Sequence, residues 1–176
     1  MMNEKGGNIT KAFKFIQNFY SEIAQLFTKL DDLMEREGWK SARGNTTTSV
    51  VSKDLQRPKQ WLPDGSFRLY ENDNFPNERR GVTVGYVHDE IKEPIIIIGK
   101  VTYKDLNEAE DWDLWKLWFD NKQPMILNKD ITSFDSENEK LSERIGPNTC
   151  IHAINLVDLA KEEDIKGKIL NKLLKM

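Results

Sequence analysis

The chain has 176 residues, of which 38% are apolar and 31% charged, and its net charge at neutral pH is -3. That length fits one domain with a core of its own, the composition is globular rather than disordered, and the small charge gives no global pull toward nucleic acid or membrane. A single cysteine, Cys150, excludes an internal disulfide framework and a cysteine-rich zinc site.

The opening MMNEKGGNIT holds two glycines and no apolar core for a signal peptide. Residues 1–7 therefore read as a flexible tail and residues 8–176 as one domain, with a cytoplasmic location expected. No apolar run approaches the ~20 residues that cross a bilayer, so no membrane partner is expected.

Asn8 or Thr10 can cap a long helix that runs to about Arg36 and ends at Gly38. Its apolar residues recur every seven positions in three adjacent columns. The first is Ile9, Ile16, Ile23, Leu30; the second Ala12, Phe19, Leu26, Leu33; the third Phe13, Tyr20, Phe27, Met34. Two columns alone would make a coiled-coil seam, but the third stands where a two-stranded coil places charge. An apolar face this wide predicts packing across a sheet, with a partner helix as the alternative. Both hold if one end of the helix overhangs the sheet.

From Gly44 to Lys104 the pattern turns to strands. TTTSVVS is rich in β-branched residues, PDGSF signals a turn, and FRLYEN, GVTVGYVH and IIIIGKVTY alternate or run apolar. The last two, with no helical pattern between them, predict an antiparallel hairpin. Its acids Asp89, Glu90 and Glu93 and its Lys100 resemble a metal-nuclease set only in composition. Seven residues of strand separate Glu93 from Lys100, about 23 Å, and no acid stands two before the lysine. The isoleucines instead predict a strand covered on both faces, each buried side chain contributing about 1.5–3 kcal/mol before entropy.

EAEDWDLWKLWFD predicts a helix with acids in its first turn and Trp112, Trp115, Trp118 and Phe119 along it. Those aromatics cover more than one packing surface needs, which makes them candidate partner-binding residues. PMIL is a strand candidate, SFDSENEKLSERIGP a charged loop, and TCIHAINLV a final strand in which Cys150 reads as a small buried hydrophobe. KEEDIKGKILNKLLKM closes as an amphipathic helix. The fold expected is α+β: an antiparallel sheet of about five strands with the first helix across one face, and the Trp-rich and C-terminal helices over the other face or an edge.

Three functional readings follow. The first is a non-catalytic module that binds a protein partner or a second copy through apolar helix surface. No glycine-rich phosphate loop or G-x-S-x-G elbow is present, and no cofactor is implied. The second is nucleic-acid binding, or a degenerate nuclease, through residues 38–62. There Lys40, Arg43, Lys53, Arg57 and Lys59 face one acid, with Trp39 and Trp61 at the edges, while residues 104–144 carry eleven acids against six bases. The same lopsidedness also suits head-to-tail association, or simply a solvated face over buried tryptophans. The third is a small metalloenzyme with His88, Asp89 and His152 as ligands, which requires the two imidazoles to meet.

Overall fold

The computed structural model describes residues 2–48, 54–89, 91–120, 126–134 and 139–176, apart from the side chains of residues 2–5, 59 and 60. Helix α1 spans Met2–Arg36. It takes in residues 2–7, so Gly6 and Gly7 do not delay its start to Asn8; at ~1.5 Å per residue it is about 52 Å long. Its end is a Schellman turn. Gly38 sits at φ +80°, its N–H donates to Glu35 at 3.0 Å, and the Trp39 N–H reaches back to Met34 at 3.0 Å. A residue with a Cβ would be strained there, and the glycine turns the chain toward the sheet.

Six strands make one antiparallel sheet: β1 (Lys40–Ser41), β2 (Gly65–Glu71), β3 (Glu78–Gly85), β4 (Ile95–Thr102), β5 (Asp130–Ile131) and β6 (Cys150–Asn155). Their spatial order is β1-β2-β3-β4-β6-β5. The expected hairpin is β3–β4, in register from Glu78↔Thr102 to Gly85↔Ile95. Side chains alternate along β4, so Ile96 and Ile98 enter one core while Ile95 and Ile97 enter the other, all four fully buried. The ribbon is the shared wall of two hydrophobic layers.

Two expected strands fall elsewhere. Thr46–Thr48 are not strand, although the Thr47 carbonyl accepts a bond from Phe67 N at 2.8 Å; residues 49–52 lie outside the described residues. The pairing on that flank goes to β1 instead, opposite Tyr70 and Glu71. Likewise Ile126 and Leu127 are not strand, and 124–125 lie outside the described residues. Asn128 takes φ +62°, a left-handed turn its short amide tolerates, which delays pairing to β5 opposite Ile151 and His152. Within the stretch read as a charged loop, Glu139–Arg144 forms a short helix, α3, because Leu141 seats in the core.

The C-terminal helix begins as α4 (Glu162–Asp164), passes through a π-helical turn, Ile165–Leu170, and ends as α5 (Asn171–Lys175). It lies on the same face of the sheet as α1, not with the Trp-rich helix. The physical reason is that α1 covers only part of that face. Ile23, Phe27, Leu30 and Met34 pack over Tyr70, Val82, Val84 and Ile96, and Ile169, Leu170 and Leu173 complete the layer beside them. Lys29 of α1 pairs with Glu162 at 2.5 Å, and Arg80 of β3 donates to the Leu173 carbonyl at 2.5 Å while stacking over Trp39.

The opposite face carries α2 (Asp113–Phe119) and α3. Helix α2 approaches closely because the sheet beneath it is floored with glycine. A Cβ on Gly99 would stand 2.4 Å from Leu114, and Cβ atoms on the cross-strand pair Gly65 and Gly85 would stand 2.9 and 3.2 Å from the Trp115 ring. A buried polar knot fixes the helix start: Asp113 accepts from Tyr103 Oη at 3.0 Å, from the Glu110 N–H at 2.8 Å, and from Arg144 of α3. Burial pushes the Asp113 carboxyl and the Tyr103 hydroxyl above their ordinary values.

Candidate interaction surface

The three apolar columns of α1 are used unequally. In the second half of the helix they build the core; in the first half they meet solvent, with Ile9 60% and Phe13 61% exposed, while Phe15, which belongs to none of the columns and lies toward Lys11, is 72% exposed. The change comes at Phe19 and Tyr20, whose rings close on Tyr86 at the end of β3 with centroids 5.2 and 5.7 Å away. Burial there pushes the Tyr86 hydroxyl up to about 12. Beyond that clasp the helix projects past the sheet. Ile9, Ala12, Phe13 and Ile16 remain on one side and Lys11 and Lys14 on the other, because 100° per residue carries both patterns forward unchanged.

The Trp-rich helix divides differently. Trp118 and Phe119 are buried with Leu114 and Leu117, whereas Trp112 and Trp115 are half-buried. Trp115 leans on Phe119 with ring centroids 4.4 Å apart and meets Trp112 edge-on at 5.7 Å, and His88 lies over Phe119 at 3.9 Å. The excess aromatic surface is thus mostly spent inside the molecule, on the glycine floor and on His88. One strip, Trp112 and Trp115, keeps a wet edge.

In the basic stretch, Lys40 pairs with Asp73 at 3.0 Å, Arg43 with Asp111 at 2.5 Å and Arg57 with Asp54 at 3.8 Å. Lys53 and the Lys59 side chain lie outside the described residues. Trp39 is core, stacked on Phe75, while Trp61 is 51% exposed, its indole N–H donating to the Asp54 carbonyl. The Arg43–Asp111 pair shows that the basic and acidic segments meet within one chain.

The structure does not bring His88 and His152 together. His88 lies tilted over Phe119 on the α2 face, whereas His152 projects from β6 beside Ile154 toward the C-terminal helix, and Asp89 is exposed at the loop. Among the described residues, no three His, Cys, Asp or Glu side chains are placed to share a metal ion.

His152 has a different setting, assembled from three distant segments. Its Nδ1 lies 2.7 Å from Asp130 Oδ1, and Lys172 reaches the same oxygen at 2.5 Å. Those contacts, Lys172 foremost, hold the Asp130 carboxyl below the usual range. Two adjoining cavities of about 490 and 510 Å³ open around them, sharing Lys172 and Lys175. Cys150 lines the second and is half-buried rather than a core residue; burial pushes its thiol up, away from a nucleophilic thiolate. Only the topology, which sets β5 and β6 under the C-terminal helix, joins these residues.

Among the described residues no helix is long and apolar enough to cross a membrane. Compared with protein-family models, with curated proteins and with solved structures, the chain matches none.

Proposed function

We propose that this chain is a non-catalytic interaction module that associates through the projecting half of α1, with a second copy of the chain as its partner. One observation carries the reading: the same columns that form the core from Ile23 onward stand uncovered at Ile9 and Phe13. A helix that continues its apolar face beyond the body it packs on presents a surface of the kind found at interfaces rather than on monomers. A two-fold pairing of two such faces is self-complementary. Light scattering across a concentration series tests it. The wild type should rise above monomer mass with concentration, and Phe13→Glu should hold it at the monomer. A wild type that stays monomeric throughout removes the proposal.

Nucleic-acid binding through residues 38–62 has thinner support, namely exposed Trp61 near Arg57, set against the carboxylate partners of Lys40, Arg43 and Arg57. Its test is a filter-binding series with labelled single strands at two salt concentrations. Arg57→Glu with Lys59→Glu should weaken retention if the reading holds.

A further inference from the structure

The paired cavities beside His152 carry more cationic side chains than acidic ones. Four lysines line them, Lys100, Lys168, Lys172 and Lys175, against two acidic side chains, Asp130 and Asp158. Asp130 is already occupied by Lys172 and His152, and Lys168 takes Asp164 at 3.0 Å and the Asp158 carbonyl at 2.6 Å. Lys100 donates to a main-chain oxygen of Met176. Lys175 is exposed and has no hydrogen-bond or ion-pair partner among the described residues. Asn128 and Asn171 add neutral amide donors to the first cavity.

The backbone contributes as well. The turn carrying Gly167 and Lys168 is π-helical, a conformation rare in proteins and frequently sited where they function. Its wider coil brings Gly167, Lys168 and Asn171 to the rim of one cavity, and a Cβ on Gly167 would meet nothing within 4 Å. Each cavity falls in the size range of small-ligand sites. Lysines act on phosphate as mobile point charges, and a charge-assisted bond is about twice as strong as a neutral one. The Asp130 contact fixes the imidazole by its Nδ1, leaving Nε2 as the second ring nitrogen.

We propose that this basin binds a small phosphate monoester, held by Lys168, Lys172, Lys175 and His152 at the π-helical turn. The phosphate occupies the lysine-rich zone shared by the two cavities, and the rest of the molecule extends into one of them. This goes beyond the helix-mediated association and stands apart from it, since no residue of the basin belongs to α1.

Calorimetric titration with glycerol phosphate and, separately, with inorganic phosphate and sulfate tests the assignment at low salt. The ester should saturate at one site per chain and bind more tightly than inorganic phosphate. The His152 ring signal, assigned by its loss in His152→Asn, should move with the same midpoint. Lys168→Gln with Lys175→Gln should weaken the ester at least tenfold while leaving the chain folded at the assay temperature. No saturable heat and no ring shift would overturn the proposal, as would wild-type affinity in the double variant. Sulfate equal to the ester would replace it with a general anion site. Should the double variant unfold, the ring titration and a steep loss of wild-type affinity between low and physiological salt carry the decision alone.

Discussion

Asp31 on α1 grips Arg68 on β2 with both carboxylate oxygens, Oδ1 to Nε at 2.6 Å and Oδ2 to Nη2 at 2.5 Å, and the Tyr70 hydroxyl adds a third donor at 2.9 Å. This clamp lies on the half of α1 that packs against the sheet. Its geometry is the forked pairing that guanidinium and carboxylate make best. Removing the carboxylate leaves a buried guanidinium with only the Gly44 carbonyl. Asp31→Ala is expected to cost about 3 kcal/mol, the low end for breaking such a pair because Asp31 is partly wet. Urea unfolding should show the midpoint fall with an unchanged slope.

Phe13 and Phe27 occupy the same column of α1, two heptads apart, yet one meets water and the other the core. Phe27→Ala should therefore cost about 3–5 kcal/mol, with cavity and transfer terms both lost. Phe13→Ala should change unfolding stability by less than about 0.5 kcal/mol at concentrations where the chain is monomeric. Thermal melts of the two variants side by side read the difference. Equal losses would mean that the projecting half is covered within the monomer.

Gly81 and Gly7 give opposite expectations for the same substitution. A Cβ on Gly81 would stand 2.3 Å from the Arg68 carbonyl oxygen, backbone that cannot yield, whereas Gly7 has open space within 4 Å. Gly81→Ala should destabilise by about 1–3 kcal/mol through strand displacement. Gly7→Ala, inside α1, should stabilise by about 0.4–1 kcal/mol by restricting the unfolded chain. Chemical unfolding of both variants checks the signs.

Glu110 accepts from Arg144 at 2.5 Å and from Lys116, which together bring its carboxyl down to about 2. A carboxyl depressed in the folded state contributes stability above its unfolded value near 4.5 and loses that contribution as pH falls toward 2. Asp113, raised by burial, works in the opposite sense, favouring the fold when protonated. Glu110→Gln isolates the first effect. The stability gap between wild type and variant should be present at pH 6, shrink through pH 4 and 3, and close near pH 2. Glu110 is half-exposed, so the gap is small and shrinks further in salt. A gap constant over that range would assign Glu110 no protonation-linked role.

The elements written in a single stretch of residues were readable from that stretch. The period of α1, its Gly38 stop and the two-faced Ile95–Ile98 strand each follow from local pattern, and all are found. Elements of two residues carry no pattern, so β1 and β5 left no trace, and the positive φ at Asn128 displaced the strand expected nearby. The face chosen by the C-terminal helix depends on how much of the sheet α1 leaves open, a property of the assembled layers. The His152 basin was equally hidden, since Asp130, His152 and Lys172 converge only once the sheet order is set. Of the basic stretch that composition flagged, Lys40 and Arg43 pair with acids from outside it and Arg57 with its own Asp54, partners that charge counting alone does not reveal.

The brevity of β1 and β5 has its own effect on how these molecules meet in a crowded solution. Each outermost strand offers two residues of backbone, and on the β1 flank the Ala42 N–H and the Thr47 carbonyl are already bonded to β2. A neighbour seeking to extend the sheet finds almost no ladder to join. On the proposal that copies associate through α1, such short outer strands leave fibrillar stacking a poor competing route.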